Sequence, residues 1–432
     1  MRNLISLIFL ASFIGSANAE VSLDKAVEMA LKKDHWQLSN LQQEQALRSE
    51  AIAVAQLPDP KVRVALANLP LDSFDFNQEN MTQLQLGLSQ QFPRGNSLSL
   101  KQQQVELRAD RNPLQRYERS AQLKLKVTQT WLKLHQSEQQ LALLKRKKHI
   151  FDELVAISRA NFRSGKSRRF EVLDAELQLT KLQDRIIQLE KIVSQSQAQL
   201  QKWLYEKPVN PLIAELQVPE LLVKVQDQQA VNSALTQHPQ MQILAQDIQI
   251  KDKGVDLADE AYKPGFKVDA NYGYRDNHEN GMERSDFFTV ALTMDLPLFP
   301  EKRQDQQRNA AINKREASRE LRLLKARELR SGYEAALANL SGIEQRLEIY
   351  NQSYLKQQSA KRKAALKAYA SANARFNEVA MAALSELEAQ LQKVVLEHQA
   401  AQAATEVNYY LAGVDPQLQS ALADQMQTQE SK

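Results

Sequence analysis

The side chains able to do chemistry are few and badly spaced for it. The 432-residue chain has no cysteine. That removes disulfides, Cys-zinc sites, thiol catalysis and a lipidated N-terminal cysteine. Its six histidines, His35, His135, His149, His238, His278 and His398, show no HxxxH-type pairing suited to zinc. His398 falls on a helical seam and reads as a packed interface residue. Met29, Met81, Met241, Met282, Met294, Met381 and Met426 are scattered, so no thioether copper site is visible. Gly165-Lys166-Ser167 has the form of the end of a phosphate-binding loop, but position 160 is Ala160 where that loop requires glycine. A helix-hairpin tip accounts for it better. No nucleophile–base pair is readable, so the expectation is no enzyme activity, no cofactor and no bound metal. With 56 Lys+Arg against 52 Asp+Glu, a formal charge of +4, nothing calls for a nucleic-acid partner. The charged residues of the helices read as solvated faces.

What must position these residues is a set of long elements. Only 11 residues are glycine, well below the roughly 7% usual in proteins, which argues against a turn-rich fold. Arg2, the apolar run Leu4 to Ile14 and Ala17-Asn18-Ala19 form a secretory signal peptide, residues 1–19, with cleavage expected after Ala19. A membrane anchor needs about 20 apolar residues, and no other stretch is long and apolar enough to span as a helix. The mature chain is therefore exported, and is either soluble or held in a membrane by β-strands.

An internal duplication organises the remainder. Ala26-Val27 and Ala30-Leu31 recur as Ala230-Val231 and Ala234-Leu235, 204 positions on. Pro60 recurs as Pro264, and Phe92-Pro93 as Leu296-Pro297, at the same offset. Phe162 pairs with Tyr369 at 207. Two repeats of this size far exceed a solenoid unit, so a whole half-molecule is doubled. The division expected is a first repeat over 20–207, a linker over 208–228 marked by Pro208, Pro211 and Pro219, a second repeat over 229–412 and a tail over 413–432.

Helical pattern brackets a short β section in each half. Leu123, Val127, Thr130, Leu134, Ser137, Leu141, Leu144, Lys148, Phe151, Val155, Ser158 and Phe162 step by four and three. The returning run is Ala175, Leu179, Leu182, Ile186, Leu189, Val193, Ser196, Leu200 and Trp203. Tyr333 to Tyr354 and Leu384 to Val394 continue the pattern in the second half. Such a 3.5-residue repeat means supercoiled helices packing knobs into holes. The spacing predicts one helix over about 97–162, roughly 100 Å at 1.5 Å per residue, kinked or divided at Pro113. Shorter helices over about 22–56 and 168–206 would pair with it end to end.

The β sections, expected at about 61–68, 83–92, 266–274 and 286–296, follow period two. Val62, Val64, Leu66, Leu84, Leu86, Leu88, Phe266, Val268, Ala270, Phe288, Val290 and Leu292 all occupy even positions. A membrane strand of 9–11 residues and a half-buried soluble strand both alternate in this way. Four strands cannot close a barrel, and lipid does not tolerate an open sheet edge. Three chains would supply twelve strands, within the range of membrane barrels. The inner face would then carry Arg63, Gln85, Lys267, Asp269 and Asn271 and line a wet pore. The polar loops at 69–82 and 275–286 would face solvent. The fold class expected is mainly α with a membrane β-barrel portion: duplicated helix–strand–strand–helix halves, and a coiled-coil α-barrel continuous with a β-barrel closed by three protomers.

The sequence resembles the TolC-like outer-membrane efflux proteins over nearly all of its mature length. The motifs that carry this are VSLDKAVEMALKKD near the start, LGLSQQFPRGN after the second strand and FRSGKSRRFEVLDAELQLTKLQ at the first helical turn. The Phe-Pro-Arg-Gly form is most similar to the heavy-metal, CzcC- or CusC-type, branch. Members of that branch often begin with a lipidated cysteine, absent here, and the second helical turn departs from the pattern. The resemblance implies a homotrimeric channel in the outer membrane of a Gram-negative bacterium, in contact with lipid, with a large periplasmic part. It would be a passive conduit that docks a periplasmic adaptor and a proton-driven inner-membrane pump, exporting small molecules or metal ions. The resemblance places adaptor docking at the hairpin tips, here Ser164, Gly165 and Lys166 and, in the second repeat, Ser371 and Ala372. It places a periplasmic gate at acidic residues beyond the second tip. By the 207 offset, Glu171 and Asp174 correspond to Glu378 and Met381, so Glu378 matches the first acidic position and Met381 departs from the second. Asn377 and Arg375 would tie neighbouring helices when the gate is closed. The competing reading is a periplasmic coiled-coil adaptor or scaffold that never enters the membrane, in which a duplicated pair of strand hairpins is not expected.

Overall fold

The computed structural model describes residues 20–204, 210–211, 216, 218–278, 280–371 and 374–420. The signal peptide, Pro208, Ala372 and the last twelve residues of the tail lie outside them. The elements in chain order are β1 (Glu20–Val21), α1 (Leu23–Lys32), α2 (His35–Val54), β2 (Lys61–Ala67), β3 (Gln83–Phe92), α3 (Ser97–Arg163), α4 (Arg169–Leu204), β4 (Asn210–Pro211), α5 (Gln228–Thr236), α6 (Pro239–Asp259), β5 (Phe266–Tyr274), β6 (Phe287–Met294), α7 (Gln304–Ile349), a π-helical turn (Tyr350–Tyr354), α8 (Leu355–Ala370) and α9 (Phe376–Tyr410). The span Gln304–Ala370 is α3 displaced by 207 at both ends. The three residues by which the offset drifts therefore enter before α7, between Pro297 and Gln304. No described helix is long and apolar enough to cross a membrane.

The chain divides into two compact units. Among the described residues, one comprises 36–118, 233–329 and 416–420; the other comprises 20–35, 119–232 and 330–415.

The first unit holds an antiparallel four-stranded sheet in the order β2-β3-β5-β6. Its helices follow the same order. Between α2 and α3, Arg116 pairs with Glu44 at 2.8 Å and Arg48 with Asp110 at 2.9 Å. Between α3 and α6, Arg111 pairs with Asp247 at 2.6 Å, and the Gln104 side chain donates to the Ile250 carbonyl at 3.2 Å. Between α6 and α7, Arg308 pairs with Asp259 at 2.6 Å and Arg315 with Asp252 at 3.6 Å. The order follows from the connections, since α2 and α6 lead into β2 and β5 while α3 and α7 leave β3 and β6. Both layers end at the same places, β2 with α2 and β6 with α7.

The second unit is a bundle of helical hairpins. Leu123, Val127, Trp131 and Leu134 of α3 pack with Ala26 and Ala30 of α1, Leu200 and Leu204 of α4, and Ala401 of α9. Farther along, Leu144 and Phe151 meet Leu182, Leu189, Leu387 and Leu391. The expected seam is buried from Leu123 to Ser158 apart from half-buried Leu141 and Lys148, whereas Phe162 is exposed.

The structure adds detail to several of these expectations. Pro113 does not divide α3. It deprives the Ala109 carbonyl of its usual donor, and the Asn112 side-chain amide donates there instead, at 3.2 Å, and to the Arg108 carbonyl at 3.1 Å. The helix expected over 22–56 is two helices, α1 and α2, parted at Lys33-Asp34, where Asp34 accepts two bonds from Arg119 at 2.8 and 3.1 Å. The matching break before α6 has a plainer cause: Pro239 sits in the first turn, where its missing N–H costs nothing. Within the linker, Asn210–Pro211 pairs in parallel with Glu20–Val21. The fourth strand ends at Met294, not 296; Asp295 turns its N–H to the Gly265 carbonyl at 3.0 Å, and Pro297 has none to give. The tail is anchored at its start, Asp415 being buried and paired with Lys124 at 2.9 Å.

Candidate functional site

The two faces of the sheet differ in kind. Register places Val62, Leu88, Ala270 and Val290 in one row across the strands, and Val64, Leu86, Tyr272 and Phe288 in the next. This apolar face is uncovered: Val62 and Val64 are 70% and 69% exposed, and Val290 63%. Its composition is graded. Phe92, Phe266 and Met294 align at the end nearest the helices, Tyr272, Tyr274 and Phe288 lie at the loop end, and the rows between are aliphatic except for Gln90, beside Val268 and Leu292. From Phe92 to Leu84 is about 27 Å of strand at 3.4 Å per residue.

The opposite face brings together all five residues expected there. Arg63, Gly87, Asn271 and Thr289 share a row, Lys61, Ser89, Asp269 and Ala291 another, and Gln85 and Lys267 point the same way. Lys267 pairs with Asp269 at 2.8 Å. Two glycines leave room for amides on this face. The Asn271 amide lies across Gly87 and the Gln83 amide across Gly273, and either would have to swing aside for a Cβ. Phe287 breaks the pattern and is covered by the Arg275 guanidinium, 3.9 Å from its ring centroid. Arg275 and Arg284 also bind the two loops together, donating to the Asn80 carbonyl at 3.1 Å and to Asn80 Oδ1 at 2.9 Å.

At the first hairpin tip, α3 closes in a Schellman motif. The Lys166 N–H reaches the Asn161 carbonyl at 2.9 Å and the Gly165 N–H reaches the Phe162 carbonyl at 3.0 Å, with Gly165 at φ +72°. Nothing lies within 4 Å of a Cβ built at Gly165. In the second tip Ser371 caps α8, its hydroxyl donating to the Lys367 carbonyl at 3.1 Å; Ala372 is outside the described residues. The two tips are packed together. Asn161 bonds the Tyr369 hydroxyl, Tyr369 meets Phe376 edge-on at 6.2 Å, and Phe376, Val379 and Ala383 pack with Leu154, Val155 and Ala175.

The gate candidates sit just beyond. Glu171 and Glu378 occupy the first turns of α4 and α9, where a carboxylate opposes the positive helix end. Asp174 follows one turn on and is half-buried. Arg375 holds the N-cap position of α9, and Arg375, Asn377 and Glu378 are all exposed. Asn377, Glu378 and Met381 border a hollow floored by Ala364, Ala365 and Ala368 of α8.

Three constellations escaped the sequence reading. Asn112, Asn40, Arg116 and Glu44 form a buried polar network, with Asn40 donating to Asn112 at 2.8 Å and Arg116 to Asn40 at 2.9 Å; the Asn-Pro pair at 112–113 was its one visible trace. His135 and His398, 263 residues apart, are 2.7 Å apart through Nδ1 and Nε2, with Trp131 stacked on His135. His398 Nδ1 donates to the Val394 carbonyl at 2.7 Å, which leaves its Nε2 to accept from His135. Burial pushes the His398 pKa down to about 4, and His135 adds to the shift. Third, the Phe-Pro-Arg-Gly motif is a clamp between the halves. Arg94 donates to the Ala261 carbonyl at 2.6 Å, and the Asn96 N–H to Glu260 at 2.8 Å.

Residues 230–413 match the family model described as outer membrane efflux protein. The resemblance to TolC-like efflux proteins holds. Over its described length the chain also shares the fold of solved channels. A CusC structure, from work on folding and transmembrane channel formation, superposes with TM-score 0.75 at 14% identity, covering 91% of this chain and 92% of CusC. The CmeC outer membrane channel of Campylobacter jejuni gives TM-score 0.75 at 13% identity over 98% of this chain and 97% of its own. The MtrE outer membrane channel of Neisseria gonorrhoeae gives 0.73 at 13%, over 90% and 88%. No curated protein sequence matches the chain.

Proposed function

We propose that the mature chain is an outer-membrane efflux channel built from three copies, a passive conduit joined in the periplasm to an adaptor and an inner-membrane pump. The observation that carries this reading is the uncovered face of the sheet. A row-by-row aliphatic band with aromatic residues at both ends is what a lipid-facing barrel wall presents, and water gives no reason for it. The free edges, β2 and β6, run antiparallel to each other, so β6 of one copy can pair with β2 of the next until the ring closes. Twelve strands then leave no edge in lipid. Arg63, Gln85, Lys267, Asp269 and Asn271 face the lumen in this arrangement, and Ser164, Gly165, Lys166 and Ser371 present the adaptor surface. Glu378, flanked by Arg375 and Asn377, forms a ring of three carboxylates that narrows the entrance. Cleavage follows Ala19, and no lipid anchors the chain. The Phe92-Pro93-Arg94-Gly95 motif favours the heavy-metal branch.

Membrane fractionation tests this. The protein should sediment with the outer membrane, resist high salt and need detergent for extraction. Release by salt alone would favour the periplasmic scaffold.

A further inference from the structure

The seam of α7 opens where the chain changes helix type. Tyr333, Ala336, Leu340 and Ile343 are buried, whereas Tyr350 is half-buried and Tyr354 exposed. These two tyrosines begin and end the π-helical turn, a wider and rarer turn that recurs at functional sites. On α9, Leu387 and Leu391 are taken up by packing with Leu144, Leu182 and Leu189. Its polar row, Ser385, Glu388 and Gln392, borders the same hollow as the tyrosines. That hollow measures about 410 Å³ and is reached also by Gln140 of α3, Arg185 of α4 and Gln358 of α8.

The polar groups of the hollow are unused within the chain. Gln358 Oε1 is buried and accepts no hydrogen bond, an unfavourable state that an incoming donor relieves. Arg185 and Glu388, both exposed, have no ion pair and no side-chain hydrogen bond among the described residues. The Tyr350 and Tyr354 rings lie 4.8 Å apart at 48° to each other and form an aromatic ledge. An aromatic pair with a carboxylate suits an ammonium group, and a guanidinium fork suits a carboxylate. The two charges cancel, so a ligand of a single sign meets repulsion from one of them. A zwitterion meets none. We propose that this hollow binds a short peptide, its ammonium held by Glu388 and the tyrosine pair, its carboxylate by Arg185 and one of its N–H groups by Gln358. The volume is in the range of small-molecule sites. All of these residues belong to one chain, so the site is independent of the trimeric-channel reading.

Calorimetric titration of the purified protein in detergent tests this with three probes: the dipeptide alanyl-phenylalanine, its N-acetyl form, which lacks the ammonium, and its C-terminal amide, which lacks the carboxylate. The dipeptide should bind saturably, once per chain, and each blocked form at least about tenfold more weakly. Glu388→Gln should abolish the preference over the acetylated form and keep that over the amide. Arg185→Gln should do the reverse, a split that misfolding does not produce. Tyr354→Ala should weaken the dipeptide and the amide together, with its helical circular dichroism unchanged. No saturation by about 10 mM dipeptide, or a dipeptide bound no better than its blocked forms, overturns the peptide site. Tightest binding of the amide would mark a site for organic cations and overturn the zwitterion assignment. None of these outcomes bears on the channel, which membrane fractionation tests separately.

Discussion

At Gly165 the backbone carries the constraint and the side chain has room. With φ at +72° and open space beyond the Cα, a substituted residue fits but strains the turn, by roughly 1–2 kcal/mol. Gly165→Val should leave trimer yield unchanged and abolish efflux, because the docking surface is reshaped while the bundle is not. Normal efflux would show that the tip makes no essential contact. Glu378 tests the entrance in the same way. Like charges converging in a narrow pore attract cations, so Glu378→Gln should weaken cation preference and block by multivalent cations in bilayer recordings. An unchanged current–voltage curve would return Glu378 to an ordinary helix-start carboxylate. The histidine pair predicts a pH dependence. His398 has a folded pKa near 4, below the ordinary 6.5. The unfolded chain therefore takes up a proton there first, and the stability present above pH 6.5 is lost as pH falls towards 4. The loss is up to roughly 3 kcal/mol per chain. Glu138, raised by burial to about 7, acts in the opposite sense, so the informative comparison is with His398→Gln. The wild type should lose more thermal stability between pH 6.5 and 4 than the variant, and parallel melting curves would contradict this.

At the scale of elements, period and parity were legible because they are properties of one chain. Even-numbered apolar residues identified the two faces of four strands, and steps of four and three identified the helical seams. The breaks were harder to read. Pro113 signals interruption by itself, and only the Asn112 amide, folded back onto Ala109 and Arg108, explains why α3 continues. The burial of Asn40 and Glu44 on α2 likewise depends on Arg116 and Asn112, more than 65 residues away, and α2 shows no amphipathic signal of its own. Strand faces give the sharpest mutational contrast. Leu86→Arg or Val290→Arg places a charge in the apolar band, at about 2–4 kcal/mol near the midplane, and three copies compound the loss, so trimer recovery from the outer membrane should collapse. Gln85→Arg or Thr289→Arg faces the polar side and should assemble normally, with altered conductance. Equal tolerance on both faces would remove the lipid-facing assignment.

The whole molecule is where one chain ceases to explain itself. Its duplication is written in the 204 offset, and the Arg94 clamp explains why the Phe-Pro-Arg-Gly motif occurs in one half only: it reaches from the end of β3 to Ala261 ahead of β5. The tips and gate residues could be placed only through the resemblance, since nothing within one chain sets them apart. What the chain leaves open is repeated in both layers of its sheet-bearing unit: two strand edges, two helix edges and an apolar face with nothing on it. A ring of copies in lipid satisfies all of them at once. Counting the chains in the detergent-solubilised particle, by native mass spectrometry on protein purified from outer membranes, tests this most directly. Three chains per particle are expected; a monomer, or a particle stable at any other number, would contradict the trimeric channel.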